Sequence, residues 1–420
     1  MSLLILHRNP LEPFPYHEWL ARYDGPVVIL ADRAKLQHFG EEVPARHGYT
    51  RLEALADYEA EVVPRALALA AEYRFTRLIA HFEGDVDMAA SLREQLGLAG
   101  AWTADVLPFR DKALMKLRAM AAGIEVAPHT VPRTAGDVWE FAAEHGYPVV
   151  LKNRAGLNAI GLRILRDADE LAECLAEKYA AGFRDDLLAE AFVPGRMCHV
   201  DGLVVDGRTV LAWPSQYQYD LASFGSDPGA RVDLTLDPGD PLTARLLTLT
   251  DRVLAALKTP GSRLREHAFH AEIFHTPDDR LVLCEIAARP GGAKIREVFH
   301  TMFGMHLGDV TTRAQAGVGV PELADTLRGG PRPAPRRMSG QMLTMKRPWL
   351  VRSVPGAPAE PWVTGFWLYA RPGQVIAPAG GSADFLTAVV GSAATRAECE
   401  RRLRRLGDRF LAQIDIAAAS

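Results

Sequence analysis

Two glutamates in neighbouring β-like segments carry the clearest chemistry in this sequence. Glu272 lies in the segment FHAEIFH and Glu285 lies in RLVLCEIAARPGG, with TPDD between the two segments. If residues 276–279 form a four-residue connection, the segments form a β-hairpin in which Glu272 faces Leu283. Glu285 then lies diagonal to Glu272 on the same face, because side chains alternate along a strand. A three-residue connection would place the two carboxylates on opposite faces.

Paired carboxylates of this kind predict a bound cation. Two carboxylates at close range repel each other, and a buried carboxylate without a partner is costly. An apolar stripe of Val282, Cys284 and Ile286 is expected on the opposite face, so the hairpin should pack into the protein. Oxygen ligands favour a hard cation, and Mg²⁺ usually takes one or two protein carboxylates together with substrate phosphates. The pair predicts magnesium and a nucleotide; the alternative is a surface hairpin with two solvated glutamates.

Other residues suit the phosphates and the adenine of a nucleotide. Arg289 continues the face that carries the glutamates, where a guanidinium suits phosphate oxygens. Lys152 ends an apolar run before a turn through Gly156, whose backbone N–H groups could lie over phosphate oxygens. Glu190 interrupts an apolar strand, where it could accept a hydrogen bond from an amino group or simply face solvent. Taken singly, Lys112 and Lys152 are more typical of exposed surface lysines.

The composition describes an ordinary globular protein. The 420 residues are 48% hydrophobic and 24% charged with a net charge of −4, which predicts two or three packed units and no bulk attraction to nucleic acid. The first residues, MSLLILH, lack the pattern of a secretory signal, and no apolar run reaches the roughly 18 residues of a membrane span. The four cysteines contain no CxxC pair, so we expect a cytoplasmic protein.

The elements that position these groups change in type along the chain. Alternating β-like runs and helices predict a small α/β layer in the first hundred residues, without the GxGxxG turn of dinucleotide-binding folds. Helices are predicted at residues 110–122 and 135–145. Hairpin signals then predict antiparallel sheet through the middle of the chain. The segment PRPAPRR (331–337) predicts a linker, and a last helix is expected at residues 397–413.

Taken in order, these segments resemble the ATP-grasp superfamily, and within it the carboxylate–amine ligases that include the L-amino acid (dipeptide) ligases. The matching segments are RDK (110–112), VLK (150–152), AEAFVPG (189–195), HAEIF (270–274) and CEIAARPGG (284–292). The resemblance implies an α/β and α+β ATP-grasp fold. It implies an N-terminal Rossmann-like (pre-ATP-grasp) domain at 1–107, a central ATP-grasp region at 108–330 divided near 185/186, and a C-terminal lid domain at 331–420.

The resemblance also implies a role for each candidate residue. Lys112, Lys152 and Gly156 would contact the phosphates, Glu190 would lie at the adenine end, Glu272 and Glu285 would bind magnesium and take part in catalysis, and Arg289 would steady the transferred phosphoryl group. The sequence departs from the family pattern at four positions. These are Ala287 in place of a metal-binding asparagine, Ala191 and Met197 in place of acidic residues, and Asn153 in place of a proline.

The implied reaction is ATP-dependent ligation of a carboxylate to an amine through an acylphosphate, with release of ADP and phosphate. The implied cofactors are ATP and Mg²⁺, with Mn²⁺ as a substitute, and the implied partners are small-molecule acids and amines, without nucleic acid or membrane. A homodimer is the oligomeric state considered. Two alternatives stay open at this stage: a biotin-carboxylase-like enzyme that uses bicarbonate, and a nucleotide-binding protein that has lost catalysis, which Ala287 suggests.

Overall fold

The N-terminal part of the chain forms a four-stranded parallel sheet with helices on both faces. The structure, a computed structural model, describes residues 1–38, 41, 48–182 and 184–417. The strands, in the order β3-β2-β1-β4, are β1 (Leu3–His7), β2 (Val27–Asp32), β3 (Arg51–Leu55) and β4 (Arg77–Ala80). The helices are α1 (Tyr16–Trp19), α2 (Arg33–His38), α3 (Tyr58–Tyr73), α4 (Val86–Leu96) and α5 (Thr103–Val106). Strand β1 is buried throughout because apolar clusters cover both faces of the sheet.

A small antiparallel sheet follows. Its strands, in the order β5-β8-β6-β7, are β5 (His129–Thr130), β6 (Val149–Asn153), β7 (Arg163–Leu165) and β8 (Leu187–Ala191). The helices of this part are α6 (Lys112–Ala121), α7 (Ala135–His145) and α8 (Ala168–Lys178). Val138 of α7 and Leu171 of α8 share one core with Leu151 of β6, so these two helices hold the sheet. The paired strands β6 and β8 carry Lys152 and Glu190.

An eight-stranded antiparallel sheet forms the largest layer, in the order β13-β12-β9-β10-β11-β14-β18-β16. Its strands are β9 (Arg196–Val205), β10 (Arg208–Tyr217), β11 (Arg231–Thr235), β12 (His267–His275), β13 (Leu281–Ala287), β14 (Met338–Met345), β16 (Val363–Leu368) and β18 (Phe385–Ala393). The helices around it are α9 (Pro241–Leu257), α10 (Ile295–Phe303), α11 (Leu307–Ala316), α12 (Ala324–Leu327) and α13 (Arg396–Gln413). Separate apolar clusters join this sheet to α9, to α10 and α11, and to α13, so the sheet is the scaffold of the C-terminal half.

The C-terminal segment does not form an isolated layer. Strands β14, β16 and β18 extend the large sheet, and a separate three-stranded sheet in the order β17-β15-β19 shares an apolar cluster with β18. The strands of that small sheet are β15 (Trp349–Ser353), β17 (Val375–Ile376) and β19 (Asp415–Ala417). The predicted limits near residues 107, 185 and 330 stay predictions, and the last of them falls between strands of one continuous sheet.

The β12–β13 hairpin has a different register from the predicted one. His275 pairs with Leu281, so the connection comprises residues 276–280 rather than four residues, and Leu283 pairs with Ile273 rather than with Glu272. A β-bulge at Cys284 then inserts one extra residue, which returns Glu285 to a position directly opposite Glu272. The longer connection and the bulge each shift the register by one residue in the same direction, and a total shift of two residues leaves the two glutamates on the same face.

The bulge also changes the apolar side of this strand. Leu283 and Ile286 belong to the core beneath the sheet, whereas Cys284 lines the cavity beside Glu285. The predicted stripe of Val282, Cys284 and Ile286 is therefore wrong. An extra residue in one strand interrupts the alternation of side chains between the two faces of the sheet. A pattern counted through the bulge therefore places the side chains beyond it on the wrong face.

Candidate active site

A cavity of about 520 Å³ lies between the small sheet and the large sheet. All the residues predicted from the sequence to form the site line it: Lys112, Lys152, Gly156, Glu190, Glu272, Glu285 and Arg289. The volume is within the usual range of about 300–1,000 Å³ for small-molecule sites. The described structure thus brings together groups from α6, from two strands of the small sheet and from the β12–β13 hairpin.

The two hairpin glutamates face each other at the base of this cavity. The Glu272 and Glu285 side chains are 15% and 28% exposed, so both are largely withdrawn from water. The Lys112 Nζ lies 3.2 Å from the Glu285 Oε2. Burial alone would raise the pKa of Glu285, but the ammonium groups of Lys112 and Lys152 outweigh burial and lower that pKa to about 2. Glu285 is therefore ionised at neutral pH.

The pair fits a hard divalent cation. Two carboxylates on adjacent strands at a directly opposed position can supply one oxygen each to the same ion, and their oxygen ligands suit magnesium. Ala287, two residues beyond Glu285, offers only a methyl group where the family pattern has a ligand. The remaining ligands of a bound magnesium would therefore come from phosphate and water.

Glu190 is the centre of a buried ion-pair triad. Its Oε2 lies 2.9 Å from the Lys152 Nζ and its Oε1 lies 3.0 Å from the Lys116 Nζ. Burial would raise the pKa of Glu190, but Lys116 and Lys152 outweigh it and lower that pKa. The sequence predicted that Glu190 could accept a hydrogen bond from an amino group. In the structure, the amino groups that it contacts are those of Lys116 and Lys152. Its carboxylate is buried rather than facing solvent.

Lys116 is a site residue that the sequence reasoning missed. It is fully buried, and its Nζ also donates to the Cys284 carbonyl oxygen at 3.0 Å. It lies four residues after Lys112, so both lysines project from one face of α6. That spacing was the available signal. The Asp111 side chain caps the helix by accepting from two backbone N–H groups, which fixes where this face begins.

Gly156 is hydrogen-bonded within its own turn, and its predicted contact with the phosphates stays a prediction. Its N–H donates to the Asn153 carbonyl oxygen at 3.2 Å, so it is engaged within its own turn. Its carbonyl oxygen accepts from the Lys112 Nζ at 2.7 Å. In the structure Gly156 thus orients a lysine of the cavity.

Arg289 is held by a carboxylate from the N-terminal sheet. Its Nε and Nη2 donate to the Glu83 Oε2 at 2.9 and 2.5 Å, and the Arg110 Nη1 donates to the Glu83 Oε1 at 2.7 Å. Burial would raise the pKa of Glu83, but the two arginines outweigh it and lower that pKa. Glu83 follows β4, at the carboxyl end of a parallel strand, which is where such sheets place ligand-facing groups. The sequence reasoning did not find it.

Glu272 ends a buried chain of alternating acidic and imidazole groups. The His270 Nε2 lies 3.4 Å from the Glu272 Oε1, and the His270 Nδ1 lies 2.9 Å from the Asp201 Oδ1. The His199 Nδ1 lies 2.5 Å from the Asp201 Oδ2, and the His199 Nε2 lies 3.0 Å from the Asp233 Oδ2. Because every ring nitrogen contacts a carboxylate, both histidines are held as imidazolium groups.

The same contacts indicate whether this series of acidic and imidazole groups binds a metal ion or orients Glu272. Burial would lower the pKa of His199, but Asp233 and Asp201 outweigh it and raise that pKa to about 10. His199, Asp201 and His270 lie close enough together to hold a metal ion. A metal there would have to displace ring protons that already bond carboxylates. The series of acidic and imidazole groups is thus suited to orient Glu272. Hydrogen-bonding groups behind a metal ligand commonly orient metal-binding carboxylates in this way.

Comparisons with known proteins identify the fold. Residues 111–206 match the family described as the carbamoyl-phosphate synthase L chain, ATP binding domain. The fold is similar to the crystal structure of an L-amino acid ligase from Bacillus licheniformis, with a TM-score of 0.75, 19% identity and coverage of 100% of this chain and 99% of that chain. The chain has the ATP-grasp fold. The predicted fold class and the predicted resemblance to ATP-grasp proteins are therefore confirmed.

Other proteins are similar to this chain at a lower identity or over a shorter aligned length. The biotin carboxylase domain of a Hydrogenobacter thermophilus 2-oxoglutarate carboxylase, in complex with MgADP and bicarbonate, has a TM-score of 0.70 at 16% identity over 99% of this chain and 90% of that chain. In sequence, this chain is 24% identical over 238 residues to the L-arginine-specific L-amino acid ligase of Bacillus subtilis, covering 56% of each protein.

A D-alanine–D-alanine ligase of Streptomyces coelicolor is 28% identical over 237 residues, covering 52% of this chain and 55% of that ligase. The chain therefore aligns with about half the length of the curated relatives that it matches. The shared fold does not by itself fix the substrates.

Proposed function

We propose that this ATP-grasp protein is an ADP-forming ligase that joins a carboxylic acid to an amine. The observation that carries the proposal is the opposed pair Glu272 and Glu285, set in one cavity with Lys112, Lys152 and Arg289. Phosphoryl transfer asks a protein mainly for positioning and charge neutralisation, and this set of groups supplies both. The ligases among the relatives point to the same reaction class.

In the proposed reaction, a carboxylate oxygen of the acid attacks the γ-phosphorus of ATP, and the bond from that phosphorus to the ADP oxygen breaks. The amine nitrogen then attacks the carbonyl carbon of the acylphosphate, phosphate leaves, and the nitrogen loses a proton to give the amide. Magnesium bound by Glu272 and Glu285 would neutralise phosphate charge. Lys112 and Lys152 would bind phosphate oxygens, while Arg289, held by Glu83, would steady the transferred phosphoryl group.

The C-terminal segment is suited to shield an acylphosphate from water. Ser382 and Ala383 line the cavity, and the Ser382 N–H donates to the Asn158 carbonyl oxygen at 3.3 Å. The segment therefore meets the loop that follows Lys152 across the cavity. We propose that this contact acts as the lid, because an acylphosphate exposed to water would hydrolyse before the amine attacks.

The substrates, the finer cofactor use and the setting are part of the same proposal. Amino acids, or acids and amines that resemble them, are proposed as substrates because two of the relatives are amino acid ligases. ATP with Mg²⁺ is the proposed cofactor set, with Mn²⁺ as a substitute. We also propose a cytoplasmic protein and consider a homodimer. No helix in the described ranges combines the length and apolar composition that crossing a membrane requires.

A product screen tests this function. The chain is incubated with ATP, Mg²⁺ and amino acids, singly and in pairs, with and without bicarbonate, and ADP, phosphate and product mass are measured. A ligase gives equal amounts of ADP and phosphate and a product with the summed mass of two substrates minus water. ADP release that requires bicarbonate favours the carboxylase reading. ATP binding without ADP release across the panel favours an inactive protein.

A pair of variants in the same hairpin checks the metal assignment. Glu285→Gln removes a charge from the cavity, whereas Asp279→Asn changes an exposed carboxylate in the connection between the strands. We expect Glu285→Gln to abolish product formation and Asp279→Asn to leave it intact. Unchanged turnover in Glu285→Gln would show that Glu285 does not bind the magnesium.

A further inference from the structure

A buried arginine, Arg110, contacts three separate parts of the chain. It lies two residues before α6, and 7% of its side chain is exposed. Its Nη1 donates to the Glu83 Oε1 at 2.7 Å, its Nε donates to the Asp87 Oδ2 at 3.0 Å, and its Nη2 donates to the Ala155 carbonyl oxygen at 3.2 Å. The proposed reaction gives this residue no role, although a buried guanidinium is costly unless it is paired.

Glu83 is shared between two guanidinium groups. Its Oε2 accepts two hydrogen bonds from Arg289, and its Oε1 accepts the bond from Arg110. The Glu83 side chain is 9% exposed, so water screens these charges weakly. Asp87 also contacts Arg110, but the Asp87 side chain is 50% exposed and is therefore screened by solvent. Two buried guanidinium groups around one buried carboxylate leave one positive charge in excess.

The excess positive charge matters for Arg289, which is proposed to steady the transferred phosphoryl group. If Arg289 were the sole partner of Glu83, the two charges would neutralise each other and the guanidinium would attract phosphate oxygens weakly. Arg110 gives Glu83 a second counterion, so the carboxylate can fix the Arg289 side chain without cancelling its charge. Glu272 and Glu285 also interact with Arg289, and a magnesium ion bound by these two glutamates would offset their charge.

The third contact of Arg110 reaches the turn that follows β6. Ala155 lies in this turn, and its carbonyl oxygen accepts from Arg110. Arg154 holds the same turn in another way, because its guanidinium bonds the Asp111 carboxylate. Of these two arginines, Arg110 is the one that also contacts Glu83 in the described part of the chain. Holding the turn and pairing with Glu83 can therefore be tested separately.

We propose that Arg110 is a positioning residue for phosphoryl transfer, because it neutralises Glu83 and so leaves Arg289 fixed in place with its positive charge available to the phosphoryl group. In the described structure Arg110 lies outside the lining of the cavity, so it acts through Glu83 and Arg289 rather than on the substrate. This inference rests on the proposed ligase function and adds to it a residue behind the site.

Substitutions of Arg110 test the charge argument. For an acid and amine pair found in the product screen, kcat and the KM for ATP are measured from phosphate release. We expect Arg110→Gln to lower kcat by about a hundredfold, the lower end of the range for loss of one preorganised electrostatic contact. Arg110→Lys keeps a positive charge beside Glu83 without the planar fork, and it should recover roughly tenfold of that loss.

A second substitution, at Glu83, distinguishes charge from packing. Glu83→Gln in the Arg110→Gln background removes the carboxylate that would otherwise neutralise Arg289. The double variant should therefore regain roughly tenfold in kcat over Arg110→Gln and match Glu83→Gln alone, whereas independent losses would multiply. A residue that only maintained the fold would not be rescued by removal of its own partner.

Arg154→Gln is the matched control for the turn. It removes the other arginine that holds the turn and leaves the contact between Arg110 and Glu83 in place. A rise in the KM for ATP that both single variants share would report the turn, whereas the loss of kcat should be confined to Arg110→Gln. Thermal midpoints show whether each variant folds. If Arg110→Gln does not fold, comparison of the double variant with Glu83→Gln alone decides the question.

The outcomes separate this inference from the function on which it rests. Absence of ADP formation by the wild-type chain with every substrate pair overturns both. Ligation by the wild type with an unchanged kcat in Arg110→Gln overturns the role of Arg110 alone. The same holds for a double variant whose losses multiply, and for an equal loss of kcat in Arg154→Gln. A loss in Arg110→Gln that Glu83→Gln partly restores supports the role of Arg110.

Discussion

The buried triad around Glu190 makes a quantitative prediction. Glu190→Gln keeps the shape of the side chain and removes the negative charge between Lys116, which is fully buried, and Lys152, which is 6% exposed. Two ammonium groups are then left in a buried setting without their shared counterion. Removing one member of a buried ion pair typically costs about 3–5 kcal/mol, because the remaining charge is left uncompensated.

A second route bounds the same cost. An unpaired buried lysine can lose its proton, and at pH 7 this costs at most about 4.6 kcal/mol for a lysine whose ordinary pKa is about 10.4. The first route therefore predicts a loss of about 3–5 kcal/mol for Glu190→Gln, and the second route places the upper limit near the top of that range. A chain of this size has an unfolding entropy of about 0.9 kcal/mol per kelvin, so the thermal midpoint should fall by roughly 3–6 °C if the chain unfolds as one unit.

Thermal unfolding followed by circular dichroism measures this difference, with Glu140→Gln on the exposed side of α7 as the matched control. The pH dependence has a defined sign. The pKa of Glu190 is lowered in the folded chain, so its contribution is present above the ordinary carboxylate pKa of about 4.3 and is lost as the pH falls through the folded value. The gap between wild type and variant should be present near neutral pH and close in acid, and it should narrow as the pH rises toward the ordinary lysine pKa of about 10.4, where an unpaired lysine loses its proton at little cost.

A fall in midpoint no larger than that of Glu140→Gln would refute the reasoning about the triad. So would a gap that stays constant into acid, because the lost stability would then not come from the charge of Glu190. Adding Lys116→Met to Glu190→Gln should return part of the stability, since it removes one of the two unpaired ammonium groups.

Three other changes test the rest of the site. Glu272→Gln should weaken Mg²⁺ binding by roughly ten- to a hundredfold, measured by the Mg²⁺ dependence of ADP formation and by calorimetric titration of Mg²⁺ with the nucleotide present. Glu83→Gln should lower kcat by about tenfold with less change in the KM for ATP, because Arg289 loses its charged partner; steady-state kinetics decide this, and an unchanged kcat contradicts it. For Lys294, whose pKa is lowered to about 8 by burial, wild-type stability should rise with pH between about 8 and 10.4, a rise absent from Lys294→Met in denaturant titrations.

Local signals predicted some elements closely. Helix α7 begins and ends where the sequence indicates, at Ala135–His145. Thr134 and Asp137 form a capping box at its start, and Gly146 follows its last residue, so both limits are set by neighbouring residues. The long last helix, α13, is likewise within one residue of its predicted start. These helix limits depend on a few adjacent side chains, so they can be predicted from the sequence without knowledge of the fold.

The hairpin shows what local pattern could not reveal. The alternation predicted that Glu272 and Glu285 share a face, which the pairing in the structure agrees with, but it paired Glu272 with Leu283. The connection is one residue longer than expected and Cys284 is bulged, and neither change has a signal in the hydrophobic pattern. The bulge lies where the hairpin meets the core, so tertiary packing rather than local preference sets it.

The missed residues share a different cause. Glu83 lies more than two hundred positions before Arg289 along the chain, and its role exists only because the N-terminal sheet docks against the hairpin. The contact of His199 with Asp233 likewise requires a strand that is distant in sequence. Lys116 is the exception, because its four-residue spacing from Lys112 was visible in the sequence.

The pairing of cations with carboxylates suggests how the two lysines of the cavity divide their work. Lys152 is bound to Glu190, a buried carboxylate whose ion-pair partners among the described residues are Lys152 and Lys116, so Lys152 should keep that ion pair throughout the reaction. Lys112 is bound to Glu285, which is also a proposed magnesium ligand. A divalent cation on Glu285 competes for the same carboxylate charge and would release the Lys112 ammonium toward phosphate oxygens. Metal binding and phosphate binding by Lys112 should therefore be coupled, whereas phosphate binding by Lys152 should depend little on the metal.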